Sequence, residues 1–373
     1  MKRRSLFKQV ALGTAGVGFA SACSRSQTVF APGENNSEGG GNGPRIEWRM
    51  ATSWPETLEL RFGVVQQICT RVSELTRGNF TITAFPAGGI APPQAILETV
   101  QLGSVECGHT SAHYSVSQNR AFTFASGLPF GLNPHQHLAW LYGGGGLELL
   151  RSLYAEFGVV NFPAGSTGGQ MGGWFRNKIG SLDEMKGLKI RMPGVGAEVL
   201  KRAGIQAQNL PPSEILLALE RGTIDAAEWV GPYEDEILGL NQHASYYYYP
   251  GWQEPGSVQE LIVNRELYEQ LPEDYRKALE LAASEAHTSM LAGYDSANGA
   301  ALQRLLDSGT ELVPYSSEIL QELKTAANDL YAEYASQDST FQTIYENWNA
   351  FRQNIYRWNS VNERSFAELI LDG

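Results

Sequence analysis

A gapless internal repeat constrains this chain more than any other feature. "PPQAILETVQLGSVECGHTSAHY" begins at Pro92, "PPSEILLALERGTIDAAEWVGPY" begins at Pro211, and the two align over 23 positions. Each copy opens on two prolines, runs through Ile-Leu, turns at a glycine and enters a short apolar segment that ends at tyrosine. Proline at the start of a helix sacrifices no needed donor, and glycine just past the end accepts the left-handed turn, so each copy reads as a capped helix followed by a strand. Such units, flanked by further strands, build open parallel sheets. Two copies predict two similar α/β lobes. Their tips differ: His109-Thr110-Ser111 in the first and Glu228-Trp229-Val230 in the second. Ligands of open α/β sheets meet the carboxyl ends of the strands, so facing tips imply one cleft served by different chemistry from each side.

The rest of the chain fits this plan. Strand patterns cover 45–54 and 80–89, and an amphipathic helix over 60–78 stops at Gly78. A strand from Val159 runs into the glycine-rich loop "GSTGGQMGG"; Ser181 and Glu184 have capping-box spacing; "LKIRMPG" and "IQAQNL" read as strands on either side of the helix "VGAEVLKRAG". From Leu271 to Ser308 the pattern is almost unbroken helix, about 55 Å long at 1.5 Å per residue, the width of two lobes. The boundaries expected are therefore 45–167 for the first part of lobe I, 168–254 for lobe II, 255–317 for the remainder of both lobes with the spanning helix, and 318–373 for a helical C-terminal extension. In that extension Ile344, Trp348, Phe351 and Ile355 form one stripe, widened by Tyr345 and Trp358. It lies beyond the repeat-bearing lobes. A single subunit is expected to offer it no groove, which predicts a homodimer with each tail packed on the other subunit.

The first 22 residues read as an export signal: a basic start, an apolar run from Val10 to Ala20 and small residues before Cys23. Arg3-Arg4 followed by Leu6, Phe7 and Lys8 favours the twin-arginine type over an ordinary secretory signal. Ala20-Ser21-Ala22-Cys23 favours lipidation at Cys23 over plain cleavage after Ala22, because 23–44 is a Gly/Asn-rich tether with nothing to bury. Removing the signal takes away four basic residues and no acid, moving the formal charge from −12 to −16. Nucleic acid would repel such a protein, so small molecules and proteins are the expected partners. Cys69 and Cys107 sit in apolar or small-residue surroundings and read as buried thiols, with one disulfide as the alternative. No apolar run of about 18 residues follows the signal, so nothing is expected to span a membrane.

Several polar residues converge on the expected cleft. Arg191, at a strand end before Pro193, suits a carboxylate because its planar fork donates two parallel hydrogen bonds; a surface ion pair is the plain alternative. Gln170 follows "GSTGG", where backbone approaches a ligand closely, unless that loop is only a flexible turn. Glu228 and Glu254 lie in stretches too apolar for unpaired carboxylates. Together they could hold a hard cation such as Na⁺ or Ca²⁺ beside an anion, or each could pair with a basic residue. Signatures of catalysis are weak, and no catalytic residue is assigned. His109 and His113 lack the acid of a zinc-protease motif, "GSTGG" is not a nucleophile elbow, and "GGGG" lacks the Lys-Ser/Thr of a phosphate loop.

"MKGLKIRMPG" and "PPSEILLALERGTIDAAEW" resemble the most specific motifs of the substrate-binding subunits of TRAP (tripartite ATP-independent periplasmic) transporters, over roughly residues 45–310. "GSTGGQMGGWF", "AAEWVGPYEDE" and "YYYYPGWQEPG" are similar to the branch that binds 2-oxo acids or lactate with a metal ion. The resemblance implies a periplasmic receptor, not an enzyme, with two lobes, hinge strands and a C-terminal helix exchanged in a dimer, delivering a small organic acid to a membrane permease. It assigns the ligand carboxylate to Arg191, ligand and ion contacts to Gln170, ion coordination to Glu228 and the Trp229 carbonyl, and a further contact with ion or ligand to Glu254, with Tyr114 facing them from the other lobe. Aromatic or sugar-derived acids are the alternative ligands.

Overall fold

The computed structural model describes residues 43–371; the export signal, Cys23 and nearly all of the expected tether lie outside the described residues. Among the described residues, eleven strands alternate with helices. The strands are β1 (Ile46–Thr52), β2 (Phe80–Phe85), β3 (Cys107–Thr110), β4 (Val159–Ser166), β5 (Gly173–Phe175), β6 (Lys189–Arg191), β7 (Gln206–Gln208), β8 (Ala226–Ala227), β9 (Tyr246–Tyr249), β10 (Val258–Asn264) and β11 (Glu311–Pro314). The helices are α1 (Glu59–Leu75), α2 (Ile96–Gln101), α3 (Thr123–Ser126), α4 (Pro134–Gly143), α5 (Gly146–Glu156), α6 (Leu182–Met185), α7 (Gly194–Arg202), α8 (Pro212–Glu220), α9 (Pro232–Ile237), α10 (Arg265–Gln270), α11 (Glu273–Asp307), α12 (Ser317–Gln337), α13 (Ser339–Val361) and α14 (Glu363–Leu371).

These elements form two sheets, ordered β2-β1-β3-β10-β4 and β11-β9-β5-β8-β6-β7. Each repeat helix feeds a strand inside a different sheet: α2 leads to β3, parallel to β1, and α8 leads to β8, parallel to β6. In β1 the alternation buries Trp48 and Met50 and turns Arg49 outward, where it pairs with Glu106 at 2.7 Å. β10 runs antiparallel to β3 and β4, with Leu261 opposite His109 and Val258 opposite Ser166. It is buried almost end to end, as a strand covered on both faces must be.

The chain crosses between the sheets three times: after β4, after β9 and through α11. The first two crossings run side by side, with Thr167 N–H donating to the Ser257 carbonyl at 3.0 Å and Gln170 N–H to that of Pro255 at 3.3 Å. They approach so closely that a Cβ on Gly251 would strike the Gln170 carbonyl oxygen. The third crossing is the 35-residue α11, which packs on α1 and β4 in one half and on α9 in the other. Alanines 278, 282, 283 and 286 line its buried face and permit that close packing.

The C-terminal extension departs from expectation. Phe341, Ile344 and Trp348 are fully buried against their own chain, in one cluster with Phe124, Trp140 and Tyr331. Trp140 Nε1 donates to Asn347 at 2.8 Å, and Tyr356 donates to the Gly131 carbonyl at 2.6 Å. Segment 112–158 folds into the helices and turns that form this groove. The unpartnered apolar surface lies further on, where Trp358, Val361, Phe366, Leu369 and Ile370 are exposed. Among the described residues no helix is long and apolar enough to cross a membrane.

Candidate functional site

The site is built where strand ends meet the crossings. Arg191 ends β6, and Glu228 follows the parallel β8, whose register brings Glu228 N–H to the Arg191 carbonyl at 3.0 Å. Beside them lies Gly173, with φ +113; a Cβ there would sit 3.1 Å from the Ala227 oxygen, so only glycine lets β5 pass so near the Glu228 backbone. Asp235 then braces the loop. It accepts from the Val230 and Gly231 N–H groups at 3.1 Å, from Trp174 at 2.8 Å and from Tyr247 at 2.7 Å. That bracing explains the acids of "EWVGPYEDE": Glu228 faces the site, Asp235 fixes the loop that carries it, and Glu234 bonds the Trp229 indole at 2.8 Å.

The Arg191 guanidinium is only 1% exposed. Its Nη1 donates to the Glu228 carbonyl at 2.5 Å and carboxylate at 2.9 Å, its Nε to the Leu210 carbonyl at 3.3 Å, and its Nη2 is buried with no partner. The Gln170 amide donates to Thr167 at 3.0 Å and leaves Oε1 unpartnered. Gln253 donates to the Met171 carbonyl at 2.9 Å and to Glu228 at 3.3 Å, again leaving its Oε1 unpartnered. From the other half Tyr114, in the turn after β3, buries its hydroxyl without a partner; burial raises its ionisation above the usual range, against the pull of Arg191 and Arg61 and with the repulsion of Glu228 and Glu254. Leaving a buried donor or acceptor unmade costs about 1–3 kcal/mol, so several such atoms together point to a guest that satisfies them.

Both acids have partners within the chain. Burial pushes the Glu228 carboxyl up to about 8, against the pull of Arg191 and with the repulsion of Glu254 and Asp235. Glu254 behaves in the opposite way: despite burial, His113 and the hydroxyls of Ser126 and Ser257 hold it below the usual carboxylate range. Ser126 donates to Glu254 at 2.6 Å, and His113 Nδ1 lies 3.4 Å away. His109 is a core residue, taking the Trp54 indole N–H at 2.8 Å and reaching the Ala164 carbonyl at 3.2 Å. Gln253 and Ser126 were not singled out by sequence, and His113 was weighed only as half of a histidine pair lacking a metal motif; Gln253, beside Glu254 in "YYYYPGWQEPG", carried a signal.

Two α/β sheets joined by three crossings, with unsatisfied polar atoms where strand ends and crossings meet, define a two-lobed solute-binding protein. The chain belongs to bacterial extracellular solute-binding protein family 7, whose profile matches residues 50–338. It is 48% identical over 366 residues, 98% of both chains, to the monocarboxylate 2-oxoacid-binding periplasmic protein of Nostoc sp. (strain PCC 7120 / SAG 25.82 / UTEX 2576). It is similar to a TRAP transporter solute-binding protein from Bordetella bronchiseptica RB50, solved as a dimer with calcium and picolinate. The identity is 41%, the TM-score 0.87, and the match covers 88% of this chain and 98% of that one. It is also similar to a TRAP periplasmic solute-binding protein from Pseudoalteromonas atlantica T6c with bound sodium and pyruvate, at 32% identity, TM-score 0.84, and 87% and 99% coverage.

Proposed function

We propose that this protein is the periplasmic receptor of a TRAP transporter, binding a 2-oxo monocarboxylate of pyruvate type together with Na⁺ or Ca²⁺ and handing it to the membrane permease. The observation that carries the proposal is that Nη2 of Arg191, Oε1 of Gln170 and the Tyr114 hydroxyl are all buried without a partner. Arg191 takes the carboxylate, and Tyr114 closes over the ligand from lobe I as a hydrogen-bond donor. The proposed lobes divide near 167 and 254, so that Gln170, Gln253 and Glu254 ride on the crossings themselves.

The donor set fits a hard cation. The side-chain oxygens of Gln170 and Gln253 lack partners, and Glu228 Oε1 receives only the long Gln253 contact. Among the described residues no cluster of three His, Cys, Asp or Glu could hold a metal. Amide and backbone oxygens, including the Trp229 carbonyl, would therefore share the ion with Glu228, and Glu254 would complete the set from the ligand side. Such oxygen sites suit Na⁺ or Ca²⁺ and not thiophilic metals. When bound, the cation supplies positive charge that offsets Glu228 and attracts the anionic ligand.

Twin-arginine export, a lipid at Cys23 and a homodimer complete the reading. The dimer is supported by the exposed apolar end of the extension, not by its buried stripe. Calorimetry with pyruvate in sodium- or calcium-containing buffer tests the function, with mass spectrometry of ligand released from the purified protein. Absence of pyruvate binding in both buffers, with a different organic acid released, would refute the ligand assignment.

A further inference from the structure

Four planar groups are linked in a run of guanidinium–ring contacts. The Arg61 guanidinium sits 4.4 Å from the Trp54 ring centroid and 5.0 Å from that of Trp229, and Arg191 sits 5.0 Å from Trp229. The run thus ends on the arginine proposed to hold the ligand carboxylate. Its members come from both halves: Trp54 and Arg61 belong to the β1 sheet and α1, while Trp229 and Arg191 belong to strand ends of the other sheet. The joint between the halves is sealed by charge. Arg61 Nε donates to Glu234, on α9, at 3.0 Å, with both side chains at 3% exposure or less. Glu234 in turn accepts from the Trp229 indole at 2.8 Å and from the Tyr294 hydroxyl on α11. The expected carboxylate site does not use Arg61, whose charge is answered by the buried Glu234.

We propose that Arg61 is a closure-dependent positioning residue. It reaches across the cleft only when the lobes meet, clamps Trp229 between two guanidinium groups, and thereby fixes Arg191 for the ligand. The proposal rests on the receptor function above. A contact made only in the closed state shifts the open–closed equilibrium by its full differential energy, so it slows ligand escape more than it speeds entry. Lysine at position 61 would keep a charge for Glu234 and lose the flat face on which both tryptophans stack.

The test is stopped-flow tryptophan fluorescence with pyruvate on the wild type, Arg61→Lys and Glu234→Gln, with small-angle scattering of each protein free of ligand. The expected result is a dissociation rate raised about tenfold in Arg61→Lys, an association rate within about twofold, and a melting temperature close to the wild type. The variant's ligand-free radius of gyration should be larger. A folded Arg61→Lys protein that releases pyruvate at the wild-type rate would overturn the proposal. If Arg61→Lys does not fold, Glu234→Gln is judged by the same two readouts. If the wild type does not bind pyruvate, the receptor reading of the ligand fails, and scattering alone decides: equal radii for wild type and variant overturn the latch.

Discussion

Arg191 holds Glu228 with a single nitrogen, donating from Nη1 to both its backbone carbonyl and its carboxylate, while Nη2 is buried without a partner. The glutamate thus orients the arginine without exhausting it. A carboxylate arriving at Nη2 meets a donor already fixed by packing and hydrogen bonds, which reduces the ordering cost of binding.

Removing that donor should be severe. Arg191→Ala is expected to weaken pyruvate binding by about 2–5 kcal/mol, because Glu228 and the ligand both lose a buried charged partner. Arg191→Lys should also bind worse, since an ammonium cannot reach the carbonyl, the carboxylate and the ligand in one plane. Isothermal calorimetry on folded variants checks both; full affinity in either would move the anion site elsewhere.

Glu228 sets a pH dependence of definite sign. With its carboxyl raised to about 8, the folded protein keeps a proton that the unfolded chain has lost above about 4.5. This contribution to stability is therefore present at low pH, declines as pH rises from about 4.5 to about 8, and is lost above that. Asp235 and Glu260, raised by burial to about 6 and about 7, act in the same direction. Glu228→Gln should melt progressively higher than the wild type as pH rises through this window. Parallel melting curves at pH 5 and pH 8 would exclude the group.

The same proton should report on the cation. An ion beside Glu228 favours its charged form, so ligand and ion binding near neutral pH should release a proton, seen as a dependence of calorimetric enthalpy on the buffer's ionisation heat. Replacing sodium by a large organic cation in chelated buffer should weaken pyruvate binding about tenfold or more. Unchanged affinity there would remove the ion from the mechanism.

The extension has separable parts. Trp348→Ala should cost about 3–5 kcal/mol in stability, the usual toll for a buried tryptophan, while leaving pyruvate affinity near the wild-type value. Truncation at Glu318 would remove the buried Ile319, Leu323 and Tyr331 as well and bare the core they cover, so it should impair folding. Deleting only 363–373 should leave a folded, ligand-binding protein. Sedimentation should then show a dimer for the full mature chain and a monomer for the deletion; equal masses would place the dimer contact elsewhere.

Repeats and caps were legible because they depend on local rules. The spanning helix, expected from Leu271 to Ser308, runs Glu273–Asp307, and both repeat units place their strands at the carboxyl edge that carries the site. The groove under the extension was not legible. It is made by 112–158, mostly short helices and turns, and a stripe of apolar residues looks the same whether its partner is the same chain or another. Arg61 was hidden for a similar reason. It sits in an ordinary amphipathic helix, and its partner Glu234 is 173 residues away.

The crossing pattern also limits how the protein can be taken apart. Each sheet draws strands from separated stretches: β10 completes the first after β9 has been laid in the second, and β11 returns to the second after α11. No single cut in the gene yields one fragment per lobe, so split-reporter designs that divide the chain at a lobe boundary will leave both fragments with unpaired sheet edges. A fluorescent biosensor is better built by insertion at an exposed connection, such as Lys186-Gly187 between α6 and β6, where the two ends stay joined by one intact lobe.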